Sequence, residues 1–194
     1  MRVRALDHDF QPDTILMPVG IVVPKYGELT IFFIESKATA DCLVDMVQAW
    51  WDENRESYPS TRRLLIQQDN GPENNTHRSQ YMHRMVQFAD DNGVGVDLAC
   101  FPPYHSKYNP IERCWGVLEN AWNGDLLDSV QAALGHAAHM TWKGLEPVVH
   151  LVRSQYESGV KLAKHAMRQV EARLSRDPLL GKWFVNIAPS TAPP

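Results

Sequence analysis

LLIQQDNGPENN, residues 64–75, and VGVDLACFPPYHSKYNPIERCWGVLE, residues 94–119, decide the fold. Leu64-Leu65-Ile66 is a short apolar run that passes through Gln67-Gln68 to Asp69, and Asn70-Gly71-Pro72 must then turn the chain. Asp69 is therefore expected at the carboxyl end of a buried strand, where open α/β sheets place their ligands. The second apolar run, residues 94–101, stops at Pro102-Pro103 and is followed by the loop Tyr104 to Asn109. Asn109 is a good helix cap and Pro110 suits the first helical position, so Glu112 is expected in the first turn of a helix.

Two carboxylates on separate elements at one cleft suit divalent-cation chemistry. Mg²⁺ takes oxygen ligands and is held by one or two carboxylates plus substrate phosphates. A pair of such ions can activate an attacking oxygen and stabilise a leaving one in phosphodiester cleavage. Glu119 lies seven residues beyond Glu112 on the same helical face and is the second-choice carboxylate.

DNGPEN followed by PPYHSKYNPIERCWGVLE resembles the DDE transposases of bacterial insertion sequences, of the mariner-related group. The resemblance runs from about Ala5 to Trp183 and implies a ribonuclease-H-like mixed sheet flanked by helices. It implies that Asp69 and Glu112 are catalytic metal ligands, and the 42 residues between them suit that family. Mg²⁺, with Mn²⁺ as substitute, is the implied cofactor. DNA, as transposon ends and as target, is the implied partner, and a homodimer is a further expectation. The implied reaction is strand nicking by water, then direct attack of the freed 3′-hydroxyl on target DNA.

The fold so implied has a central first strand that carries a third catalytic aspartate, and no such strand precedes Pro18. Asp7 and Asp9 lie in ALDHDF, too short and polar for a central strand, and read as loop carboxylates. The chain is accordingly expected to be a core truncated at its amino end, weak or inactive alone. Its sheet would need a foreign filler or would pack as two separated halves. The alternative function is a silent remnant that at most binds DNA or itself.

A net charge of −4 over 194 residues argues against bulk electrostatic coating of nucleic acid, though not against a local basic groove. Arg62, Arg63, His77, Arg78, His83, Arg84, Lys107 and Arg113 flank the proposed site; singly they read as solvated surface, together as phosphate contacts. His105, Lys107 and Arg113 are the residues assigned to nucleic acid. Cys42, Cys100 and Cys114 sit in apolar runs without a Cys-x-x-Cys and read as buried free thiols. No signal peptide or membrane-length run is present, so a cytoplasmic, nucleoid-associated protein is expected.

In chain order, PVGIVV (18–23) and LTIFFI (29–34) read as a hairpin across Pro24-Lys25-Tyr26-Gly27. Residues 39–51 and 77–92 show helical spacing, the second with Tyr81, Met82, Met85, Phe88 and Ala89 inward. Residues 1–125 are assigned to the partial core, 126–188 to a helical extension and 189–194 to a disordered tail. Within the extension, 129–140 and the basic run 161–176 read as helices. Residues 146–156 read as a short helix or extended segment, and 183–187 as a strand-like tail. His136 and His139 share a helical face, with solvated side chains favoured over a zinc pair.

Overall fold

The computed structural model describes residues 14–102, 104–125 and 127–190. Asp7, Asp9 and most of the expected disordered tail therefore lie outside the described residues. Seven strands and five α-helices are found among those described: β1 Met17–Val23, β2 Glu28–Ile34, α1 Ala40–Asn54, β3 Arg63–Asp69, α2 Ser79–Asn92, β4 Gly95–Phe101, α3 Pro110–Trp122, α4 Val130–His139, β5 Val148–Val152, α5 Lys164–Glu171, β6 Leu174–Arg176 and β7 Phe184–Ile187.

The strands form two sheets, ordered β1-β2-β5 and β3-β4-β7-β6. In the first, β1 and β2 make the expected antiparallel hairpin and β5 runs parallel to β2. In the second, β3 and β4 are parallel, and β7 and then β6 continue antiparallel. The molecule is thus mixed α/β, and of the two outcomes expected for its sheet, a foreign filler or two separated halves, the described strands show two sheets. Beyond residue 126 the extended option at 146–156 and the strand-like tail at 183–187 are found as β5 and β7, so this segment holds more strand than the helical reading of the rest of it expects. That segment supplies β5 to one sheet and β6 and β7 to the other, and only Lys164–Glu171 of the basic run 161–176 is helical.

One helical layer spans both sheets. α1 starts at Thr39, whose hydroxyl accepts from the Cys42 amide, and α2 stops at Gly93 in the left-handed conformation at φ 62°. Their inward faces, including Trp50, Trp51, Tyr81, Met82, Met85 and Phe88, share a core with Phe32 and Ile34 of the first sheet and Val96, Leu98, Val185 and Ile187 of the second. On the far side of the first sheet, Leu29, Ile31 and Phe33 pack with Cys114 and Leu118 of α3 and Ala137 of α4. β2 is therefore buried on both faces. α3 can lie against β1 because residue 20 is glycine: a Cβ there would stand 2.6 Å from both Ile111 Cδ1 and Trp115 Cη2.

β3 departs from its expected burial. Its residues alternate between exposed and half-buried, and Leu65 is 60% exposed. The physical reason is a missing neighbour: among the described residues β3 pairs only with β4, and β1 only with β2. Both strands border one groove of about 460 Å³, with Leu43, Met46, Val47 and Trp50 of α1 along it and Asp69, Asn109 and Ile111 also in its lining.

Candidate active site

Asp69 is the last residue of β3, exposed, and in register with Phe101 at the end of β4. The turn after it is held from several sides. The Tyr81 hydroxyl donates to Gln68 Oε1 at 2.6 Å, and Gln68 Nε2 donates to the Asn74 carbonyl at 2.7 Å. Glu73 accepts from the Ala40 amide at the start of α1, at 3.2 Å, and from Arg78 at 3.0 Å. Thr76 donates to the Lys182 carbonyl at 2.9 Å, so the carboxy-terminal segment fastens the same turn. Burial pushes the Tyr81 hydroxyl well above its ordinary range. The Cys100 thiol is pushed up first by burial, with the Asp69 charge adding and the Gln68 hydrogen bond opposing.

Asn109 joins this turn to α3. It is 6% exposed and does two things at once. Its Oδ1 accepts from the Ile111 amide at 3.4 Å, capping the helix, while its Nδ2 donates to Asp69 Oδ1 at 3.5 Å. Pro110 fills the first helical position as expected, and Glu112 lies in the first turn, exposed. The strand end bearing Asp69 and the helix start bearing Glu112 are thus tied by one buried side chain. Glu119 is exposed two turns further along α3, about 10 Å up the axis.

The loop from Pro102 to Asn109 carries His105 and Lys107, both exposed. The His105 ring lies 5.9 Å from the Tyr108 ring at 27°, and Lys107 Nζ stands 5.1 Å from the Tyr108 centroid. Arg113 follows Glu112 on α3 and is exposed.

Several members of the wider basic group are already engaged. Arg63 pairs with Asp97 at 2.6 Å and Arg78 with Glu73, and Arg84 bonds Asp41 at 2.7 Å and Asp45 at 2.6 Å. Burial works against the Arg84 charge, but these two carboxylates outweigh it and raise its pKa. These three arginines build the fold. The three cysteines are buried free thiols, as expected. His139 Nδ1 contacts the Gly135 carbonyl at 2.7 Å and His136 faces Asp125 at 3.6 Å, an arrangement without a zinc set.

Asn109 is legible in the sequence as a cap, but its second bond is not, nor is the support that Gln68, Glu73 and Tyr81 give the Asp69 turn. Glu73 carried a signal, since an acid inside DNGPEN must face either solvent or a donor. Gln68 and Tyr81 carried none, because their bond depends on how α2 packs.

The oxygens at this strand end and helix start are of one chemical kind. Asp69 and Glu112 offer carboxylates, and Asn70 Oδ1, next in sequence to Asp69, is a buried oxygen without a hydrogen-bond partner among the described residues. That donor set fits a hard divalent cation. No cluster of three or more His, Cys, Asp or Glu residues suited to a metal occurs among the described residues. An α/β protein with acids at a strand end and a facing helix start is of the class that works at the carboxyl edge of a sheet.

The sequence match places the chain within that class. A family described as Rhodopirellula transposase DDE domain matches residues 1–189, and the chain belongs to this family of DDE transposase domains. No curated protein and no solved structure matches it. Among the described residues, no helix is long and apolar enough to cross a membrane.

Proposed function

We propose that this chain contributes Asp69 and Glu112, as the carboxylates that hold Mg²⁺ or Mn²⁺, to a transposase catalytic core that nicks DNA and transfers the cut strand. The observation that carries the reading is the Asn109 side chain, which bonds Asp69 while capping the helix whose first turn presents Glu112. The buried amide ties the strand end that bears Asp69 to the helix start that bears Glu112, which supports reading the two acids as parts of one site.

When bound, the divalent ion would stabilise charge on the phosphoryl oxygens and make an attacking water more acidic. The chain's own residues do the rest. β3 and α3 fix the two carboxylates on rigid elements, so little reordering accompanies binding. His105, Lys107 and Arg113 line the approach and orient the DNA backbone, as phosphate contacts do elsewhere. Glu119 remains the second-choice carboxylate. Transposon ends and target DNA are the substrates, and the freed 3′-hydroxyl is the second nucleophile. A homodimer would bring two ends together.

The test is Mn²⁺-dependent nicking of transposon-end DNA by the intact protein. Asp69→Ala and Glu112→Ala are each expected to lower the nicking rate by about a hundredfold or more, since a metal ion contributes several kcal/mol to such a transition state. Glu119→Ala is expected to change it little. Undiminished nicking by either of the first two variants would overturn the assignment. DNA binding without nicking by the intact protein would favour the rival reading, a module that binds without cutting.

A further inference from the structure

Tyr104 is 97% exposed, and its backbone sits at φ 66°, in the left-handed region that a bulky residue seldom occupies. Four residues on, Tyr108 is 61% exposed, with the His105 ring stacked near it and Lys107 Nζ over its face. The chain as a whole is acidic, yet no Asp or Glu occurs between Phe101 and Glu112. Both ends of this loop are anchored at Asp69: Phe101 is its register partner across β3 and β4, and Asn109 donates to it.

An exposed tyrosine ring gains no burial in the free protein and is free to stack against a partner. A flat ring beside an ammonium matches a nucleobase face next to a phosphate. In a paired duplex the base faces are covered and only the edges are offered. A ring can stack only where a base has left the helix.

We infer that Tyr104 and Tyr108 form a stacking platform for unpaired nucleobases beside the phosphate to be cut, with Lys107 on the adjoining backbone. This rests on the reading of the Asp69 and Glu112 cleft as a DNA site. It adds a requirement that reading does not contain, local unpairing of the DNA at the cleft.

The experiment is fluorescence anisotropy of the intact protein in EDTA, which removes the metal from the question. The probes are a single strand of about twelve nucleotides, a blunt duplex, and the same duplex with a short unpaired flap. Tyr104→Ala and Tyr108→Ala are expected to weaken single-strand and flap binding by about five- to a hundredfold, the range of base–aromatic stacking, while duplex binding stays within about twofold. Tyr104→Trp, which keeps a ring, is expected to retain the affinity. Tyr104 is almost fully exposed and Tyr108 mostly so, so these variants are expected to keep the fold, which far-ultraviolet circular dichroism checks. Equal loss for all three probes, unchanged single-strand affinity in Tyr104→Ala, or loss in Tyr104→Trp as deep as in Tyr104→Ala overturns the platform and leaves the cleft reading standing. Failure of the unaltered protein to bind any probe overturns both.

Discussion

β2 and β3 are each seven residues long and begin with a charged residue, yet they end in opposite environments. Six of the seven β2 residues are buried, whereas β3 alternates between exposed and half-buried. β2 has a strand on each side and helices over both faces, while β3 has one strand partner and borders a groove. An apolar run therefore does not bury itself, and its neighbours decide. The contrast extends to the seams. Strands hold each sheet together, but across the groove between β1 and β3 the two halves are held by helices. The polar seam between α1 and α2 is the Arg84 fork on Asp41 and Asp45, with Gln80 on Asp41 and Gln48 paired to Asn92.

The contrast between the two strands is sharpest for truncations. Phe33→Ala, at a fully buried β2 position, is expected to cost about 3–5 kcal/mol in urea denaturation, transfer and cavity terms together. Leu65→Ala on the open face of β3 is expected to cost less than about 0.5 kcal/mol. Comparable losses at the two sites would erase the difference between the strands.

The seam comes next in size. Arg84→Ala leaves Asp41 and Asp45 without their cation and is expected to cost about 1.5–3 kcal/mol, the range for hydrogen bonds to charged groups. Hydrogen exchange of the same variant should show earlier opening of amides in both α1 and α2. A loss confined to one helix would break the view that this fork couples the halves.

The smallest effect concerns acid. Arg173 bonds the Asp90 carboxylate and holds its pKa below the usual range, against the pull of burial, and Arg176 does the same for Glu171. A carboxyl depressed in the folded state stabilises the fold above its unfolded pKa and loses that contribution as pH falls. The urea midpoint is therefore expected to hold from neutral pH to about 5 and to decline below about 4. Asp90→Asn should flatten part of that decline.

Much of the fold was legible because it rests on local pattern. The inward faces of α1 and α2, the end of α2 at Asn92-Gly93, the cap at Asn109 and the first hairpin all follow from residues a few positions apart. β5 was not legible as a strand. Val148–Val152 is a short apolar run after Pro147, equally compatible with several conformations, and pairing with distant β2 settles it. β6 is three residues long, and only β7 beside it makes it a strand. In the site, the positions of Asp69 and Glu112 at a strand end and a helix start could be read from spacing. The bond between Asn109 and Asp69 could not, because it depends on how closely α3 lies over Gly20.

The arrangement of rims bears on solubility. Long, flat strand edges open to solvent invite other chains to add on, and natural proteins shorten or cover them. Here the outward rims are β5, of five residues, and β6, of three, while the two seven-residue margins without partners flank a shared recess. Among the described residues, a neighbouring molecule that comes from outside meets the stubs, and fibre-like stacking would have to begin inside the recess.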